Sequence, residues 1–357
     1  MLRVEPSAPP PIGKLRFYDN RIPVLEDGRY DIVVQQQLEF TQGDDHRPEF
    51  SRHQQFLVHG ARFALDATAL HAVYPPGGSL GDYQNKLAHI VLTRPALPWE
   101  RSLDESSASP EGIPWMALLL FEEAELLAAA DNPSPTRSAV YPIQEILRPS
   151  DTTVFRPKLT LDPIEQAQAD PGAKTENPLN ARAIDIKTET FKKLVPALKE
   201  LPYLAHVRQV NPRDKEYRAE TADGWFAVLI GNRLIPADPQ KETVQIAHLV
   251  SLEGFREYLP QADGSESKPF DGCDTVRLVS LAGWRFTVKP GRGDFGALME
   301  NMNCDLMRFP TSERPCPPPH QDEKQADPAS AEDLQDPGAP FDAGQLVRTA
   351  LTQGYVA

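Results

Sequence analysis

Thirty-six prolines in 357 residues constrain this chain more than any other feature. That is about twice the usual proline frequency. A proline inside a helix removes one backbone hydrogen bond and clashes with the preceding turn. Long uninterrupted helices are therefore excluded, and with them helical bundles, coiled coils and solenoids of long helices. Strands, short helices and turns remain. Hydrophobic residues make up 40% and charged residues 25% of the chain, which supports a buried core and argues against wholesale disorder. At roughly 100–200 residues per domain, the length predicts about two domains.

Charge narrows the partners. The formal net charge is −14, and the longest basic run is the pair Lys192-Lys193. Nucleic-acid binding needs a basic surface that releases counterions from phosphates, so neither nucleic acid nor an anionic membrane is expected as a partner. The longest apolar run, Met116 to Phe121, falls far short of the ~20 residues that span a bilayer, and membrane insertion is not expected. The N-terminal segment has no apolar core of signal-peptide length. Synthesis in the cytoplasm is expected, with release by lysis or inside a machine. Cys273, Cys304 and Cys316 form no CxxC and no zinc-like pair, and their odd number argues against a disulfide framework. They read as reduced thiols.

The pattern along the chain predicts a Pro-rich lead-in over 1–13 and a β-rich domain over 14–160. Within that domain, 22–40 reads as a hairpin turning at Asp27-Gly28, a dipeptide that accepts positive φ. Strands follow around Phe56-Val58 and Phe63-Leu65, with a turn at Gly60, and another lies in 86–101. Residues 114–130 read as a helix rich in Ala, Leu and Glu, although the run Met116–Phe121 also suits a strand. A Pro-rich connector is expected over 161–184, and a second, α+β domain over 185–310. That domain starts with a helix from about Thr188 and a strand from Tyr203. A further strand over 223–234 is expected to end at Gly231-Asn232. It also contains an internal echo: 247–259 and 276–288 share LVSL-x-G-aromatic, read as strands that each run into a turning glycine and set an aromatic in the core. Residues 311–345 are acidic and Pro-rich, and read as a disordered linker or loop. Residues 346–357 begin a further element and stop, as expected of a fragment of a longer chain.

Candidate chemistry is sparse. Gly77-Gly78-Ser79-Leu80-Gly81 fits G-x-S-x-G, but a nucleophile elbow needs a strand before the serine and a helix after it. Pro75-Pro76 argue instead for a loop, with His89 or His71 as the only nearby bases. His46, His53, His59, His71 and His89 cluster without HExxH or facial-triad spacing, so ordinary histidines are the default. His206 and His248 sit in strand-like text as satisfied, half-buried side chains. Glu122-Glu123-x-Glu125 is read as the solvent face of the helix. Gly291–Gly296 contains Arg-Gly-Asp, read as a glycine-rich turn. Trp225 and Trp284 are expected in the core, and Trp99 and Trp115, each preceded by proline, near a surface. Gly291–Gly296 also spells G-x-G-x-x-G and is read as the same glycine-rich turn; Walker patterns are absent, and no cofactor is expected. No catalytic, cofactor-binding or metal-ligating residue is singled out.

Two stretches, FLVHGARFALDATALHAVYPPGGSLGDYQNKLAHIVLTRPALPWER (56–101) and IPWMALLLFEEAEL (113–126), are followed in order by DGWFAVLIGNRLI, AHLVSLEGF and VRLVSLAGWRF. Together they resemble an uncharacterised family associated with gene clusters of phage-tail-like contractile injection systems. The resemblance spans roughly residues 20–290 and carries no catalytic motif. The expected fold is β-rich α+β, with antiparallel sheets arranged as a sandwich or barrel, a few short helices and long Pro-rich loops. The resemblance implies a non-enzymatic structural or cargo-associated component of such a particle, docking on other protein subunits of the assembly. A hydrolase or injected effector using Ser79 is the enzymatic alternative, and a carbohydrate-binding module the second.

Overall fold

Alternating apolar residues set the strands of this protein, and turns rich in proline and glycine set where most of them stop. The structure is a computed structural model that describes residues 9–37, 49–84, 86–104, 112–127, 134–169, 179–211, 224–234, 238, 241–260 and 267–290. Residues 1–291 group as one unit and 292–357 as a second, which lies outside the described residues. The acidic 311–345 segment, the 346–357 element, Cys304, Cys316, His46 and the Arg-Gly-Asp tripeptide lie there or in other undescribed stretches.

In chain order the strands begin with β1 (Leu15–Tyr18), β2 (Gly28–Gln37), β3 (Glu49–Val58), β4 (Leu70–Tyr74), β5 (Leu80–Gly81) and β6 (Leu87–Leu92). Next come β7 (Met116–Glu122), β8 (Leu126–Leu127), β9 (Ala139–Pro142), helix α1 (Ile143–Leu147), β10 (Val154–Phe155) and helix α2 (Pro163–Ala169). The rest are β11 (Asn180–Lys187), helix α3 (Thr188–Leu194), β12 (Ala205–Val210), β13 (Trp225–Leu234), β14 (Thr243–Ser251) and β15 (Thr275–Val288). The protein is thus β-rich α+β, as the proline content requires, and most of its strand pairs are antiparallel.

Three sheets form. One runs β1-β12-β13-β6-β4, a larger one runs β7-β14-β15-β11-β8 with β5, β9 and β10 added at its sides, and β2 and β3 make a separate two-stranded ribbon. The larger sheet is apolar on both faces, so its period-2 alternation feeds two cores. Met116, Leu118 and Leu120 of β7, with Ala247 and Leu249 of β14, pack against Ile90 and Leu92 of β6, Val207 of β12 and Leu229 of β13. That layer is a sheet-on-sheet sandwich. Ala117, Leu119 and Phe121 of β7, with Ile246 and Val250 of β14, point the other way onto Phe191 of α3 and onto Phe255 and Phe270.

Several expectations are corrected here. The predicted helix over 114–130 is strand β7, a 3-10 turn at Glu123–Glu125 and strand β8. Helix propensity lost because all of Met116–Phe121 is buried between two cores at the end of the larger sheet, where β7 pairs with β14. Asp27-Gly28 is not the tip of a hairpin; β2 begins at Gly28 and pairs with β3 from Gly28↔Val58 to Gln37↔Glu49. Phe63 and Leu65 lie outside any strand. Gly231-Asn232 does not end β13 but lies where its pairing with β6 shifts register, between Ile230 and Leu234. The stretches 14–160 and 185–310 contribute strands to the same sheets, as in β1 with β12 and β7 with β14. Helix α3 begins at Thr188 as expected and ends before Pro196.

The echo between 247–259 and 276–288 falls on β14 and β15, which pair with each other. Gly254 does turn the chain, with φ +80°. Gly283 stays inside β15 instead, opposite His248, where a Cβ would come within 2.6 Å of His248 Nδ1. Phe255 and Trp284 are both buried, as the echo predicts.

Candidate functional site

At the root of the β2–β3 ribbon, charged residues converge from four distant stretches of sequence. Arg62 follows β3, Arg101 follows the 3-10 turn Leu97–Trp99, Asp162 and Glu165 begin α2, and Glu253 follows β14. They border or underlie a cleft of about 550 Å³ lined also by Asp27, Tyr30 and Leu57. Arg62 lies at the centre. Its Nε donates to Glu253 Oε2 at 2.9 Å, and its Nη1 donates to Glu165 Oε2 at 2.9 Å and to the Thr160 carbonyl at 2.8 Å. Arg101 continues the network to Glu253 Oε1 at 3.2 Å and to Asp27 Oδ1 at 2.7 Å. Asp27 Oδ1 also accepts the Gly60 N–H at 2.8 Å. One carboxylate therefore joins the strand entering the ribbon to the loop leaving it.

Burial works against the Arg62 cation, but Glu253 and Glu165 outweigh it and raise its pKa above the ordinary arginine value. Beside it, Arg156 is buried, and its three guanidinium nitrogens have no hydrogen-bond partner among the described residues. Its carbon lies 5.3 Å from the centre of the Phe255 ring. Burial pushes the Arg156 pKa down to about 10, with Glu253 pulling it up and Arg62 pushing it down. The side chain keeps its charge at neutral pH.

Helix α2 supplies the other half of the site. Asp162 stands just before Pro163, and its Oδ1 accepts the N–H groups of Ile164 at 2.7 Å and Glu165 at 2.8 Å, while Glu165 Oε2 accepts the Asp162 N–H at 3.1 Å. This is a reciprocal capping box with proline at the first helical position. The other Asp162 oxygen, Oδ2, lies 2.7 Å from His59 Nδ1. Burial raises the Asp162 pKa, but the Glu165 N–H, His59 and the Ile164 N–H more than offset this and lower it. His59, Asp162 and Glu165 offer ligand atoms within 4.8 Å of one another. The stretch 161–184, expected as a plain connector, thus holds α2 and two of these residues. The signal that could have found them was Asp-Pro-x-Glu, a helix start in sequence. The pairing with His59, 103 positions away, left no sequence trace.

The sequence candidates are dispersed. Ser79 Oγ donates to the Pro76 carbonyl at 2.6 Å and accepts from Tyr83 Oη at 2.8 Å, so no described histidine activates it. Strand β5 follows the serine where an elbow requires a helix. His89 stacks on Tyr74 and His71 lies against Phe226. His53 bonds Ser51, while His206 is half-buried beside Arg208. His248 is fully buried rather than half-buried, and bonds Ser280 Oγ through Nδ1 and the Thr136 carbonyl through Nε2, each at 2.8 Å. Glu122 and Glu125 pair with Arg233, and Glu123 with Arg137, around a 3-10 turn rather than on a helix face.

The tryptophan assignment is largely reversed. Trp99 and Trp115 are buried, and their indole N–H groups donate to the Gly112 and Leu97 carbonyls. Trp284 is buried as expected, whereas Trp225 is half-buried under Tyr18 and Arg21. The four do not make an exposed sugar platform.

The second candidate surface is the ribbon itself. Directly opposed residues of an antiparallel pair share a face. Tyr30/Phe56, Ile32/Gln54, Val34/Arg52 and Gln36/Phe50 therefore form one face. Tyr30 and Phe56 stack at 5.4 Å near the root. Beyond them Ile32, Val34 and Phe50 are 48%, 57% and 56% exposed. Among the described residues neither strand has a second neighbour. No helix of the described residues is long and apolar enough to cross a membrane. Comparison with protein-family models, with curated proteins and with solved structures gives no match.

Proposed function

We propose that this protein is a non-enzymatic structural or cargo-associated component of a phage-tail-like contractile particle, and that it docks onto a neighbouring protein subunit through the β2–β3 ribbon. The observation that carries the docking half of this reading is the uncovered apolar stripe of the ribbon, Ile32, Val34 and Phe50. Two strands of ten residues each expose these side chains together with their outer backbone edges. Unpaired strand edges invite strand addition, and apolar contacts on alternate positions supply its specificity. An isolated two-stranded ribbon is marginal in water, and here the ion-paired root holds one end of it. The ribbon carries Arg29 and Arg52 against Asp31 and Glu49 and is formally neutral in a chain of net charge −14, which favours an uncharged, apolar-edged protein partner. The particle half rests on the sequence resemblance.

The test is affinity purification of the tagged protein from its native host, beside a Val34→Asp variant. Co-purification of sheath, tube or baseplate proteins with the native chain, and their loss with the variant, is the expected result. If the native chain comes down alone while particles purify without it, the reading is wrong. A hydrolase screen with Ser79→Ala then takes its place.

A further inference from the structure

We propose that His59, Asp162 and Glu165 bind a divalent transition-metal ion of the zinc class, clamping the root of the ribbon to helix α2. Three observations carry this. His59 Nδ1 and Asp162 Oδ2 are 2.7 Å apart and share a proton; an ion that replaces the proton parts these donors by only about 0.7 Å, to the ~3.4 Å between tetrahedral ligands 2.1 Å from zinc. All three ligand atoms fall within 4.8 Å of one another, so a contraction of about half an ångström brings them onto one coordination sphere ~4.2 Å across. Independently, Glu165 is only 2% exposed and its Oε1 has no hydrogen-bond donor among the described residues. A buried acceptor without a partner costs free energy, and a cation relieves that cost.

The donor set selects the metal. One imidazole with two carboxylates suits zinc and its neighbours, three protein ligands leaving a fourth position open. Asp162 Oδ1 and Glu165 Oε2 are already engaged by N–H groups and by Arg62. Too few oxygens remain for Ca2+, which takes 6–8. Those same hydrogen bonds hold both carboxylates in place, as supporting contacts do around metal ligands. Asp162 lines the cleft, from which water reaches the open position. The His59 side chain is 39% exposed, so an ion can enter and the proton shared with Asp162 can leave. Because His59 directly follows β3, the ion links the exit of the ribbon to α2.

The experiment is calorimetric titration of ZnCl2 into the full chain after chelator treatment, with thermal melting in parallel. One ion per chain and a melting temperature that rises with zinc are expected. His59→Ala, at an exposed position, keeps the native circular dichroism and binds at least about tenfold more weakly. Glu165→Gln retains an acceptor for Arg62 and is weakened as well. Absence of saturable binding overturns the proposal, and so does equal affinity in His59→Ala. Thiolate charge-transfer bands on loading with Co2+ also overturn it, because they place the ion on a cysteine. Metal binding is read on the isolated chain, so its failure is distinct from failure to find a particle partner.

Discussion

Strands β2 and β14 are ten and nine residues long, and each carries one Ile and two Val, yet they meet opposite environments. From Gln245 to Ser251, β14 is buried on both faces, sandwiched between two cores. β2 is exposed along nearly its whole length, and its apolar residues face solvent beside those of β3. The difference is not in the strands but in what lies over them. Among the described residues, β14 has a paired neighbour on each side and a layer above and below, whereas β2 has one neighbour and no layer. Apolar content specifies that a strand wants cover; it does not say whether the same chain supplies it. The contrast marks β14 as fold and β2 as contact surface. At the root of the ribbon a buried ion-pair network, rather than a hydrophobic layer, holds the two parts together.

The largest effects belong to the core side of this contrast. Phe121 of β7 is fully buried against the residues of the second core. Phe121→Ala is expected to cost about 3–5 kcal/mol in a denaturant titration. A loss below about 1 kcal/mol would mean that this layer is not the packed unit described.

Next comes the junction. Glu253 neutralises Arg62 and Arg101 together, at side-chain exposures of 3% to 6%. Removing it leaves buried guanidinium groups with less compensation, Arg156 among them. Glu253→Ala is expected to lose about 3 kcal/mol. Arg62→Met combined with Glu165→Gln and Glu253→Gln removes charges of both signs and should recover part of that loss. If the triple variant is worse than the single, the network does more than balance charge.

A pH effect of similar size tests the sheet interior. His248 is fully buried, and burial lowers its pKa to about 4. Between the ordinary value of 6.5 and about 4, the unfolded chain takes up a proton here that the folded chain does not. Stability therefore falls as pH drops through that window, by about 3 kcal/mol at its lower end. His248→Gln should flatten the pH dependence of melting. Gly283 lies directly opposite the ring, and the space it leaves is what lets a neutral imidazole fit between β14 and β15.

The sequence made the class of fold legible because proline content and alternating apolar residues act locally. It placed α3 at Thr188 and the start of β12 within two residues, since helix starts and prolines are local signals. It failed at Met116–Phe121, where six apolar residues suit either element and only the pairing with β14 decides. The tryptophans failed because proline before a ring says nothing of which side of the chain faces inward. The candidate site was almost invisible. Asp162 and Glu165 announce a helix start, but His59, Arg62, Arg101 and Glu253 come from loops joined only by the topology. Sequence periodicity carries no record of such a meeting.

The smallest expected change in stability is the most informative about the ribbon. Val34 is 57% exposed, so Val34→Ser in the isolated protein should alter stability by no more than about 0.5 kcal/mol, as surface substitutions do. The same substitution removes apolar area from the stripe that also holds Ile32 and Phe50, and association through that stripe should weaken. A contact residue and a core residue differ in this respect: the first changes binding and leaves the melting midpoint alone, and the second does the reverse. If Val34→Ser instead costs about 2 kcal/mol or more in the monomer, the stripe is covered within its own chain. β2 then belongs with β14, and the docking role moves to another edge. The exposed strand β1, with Leu15 and Phe17 turned to solvent, is the next to test.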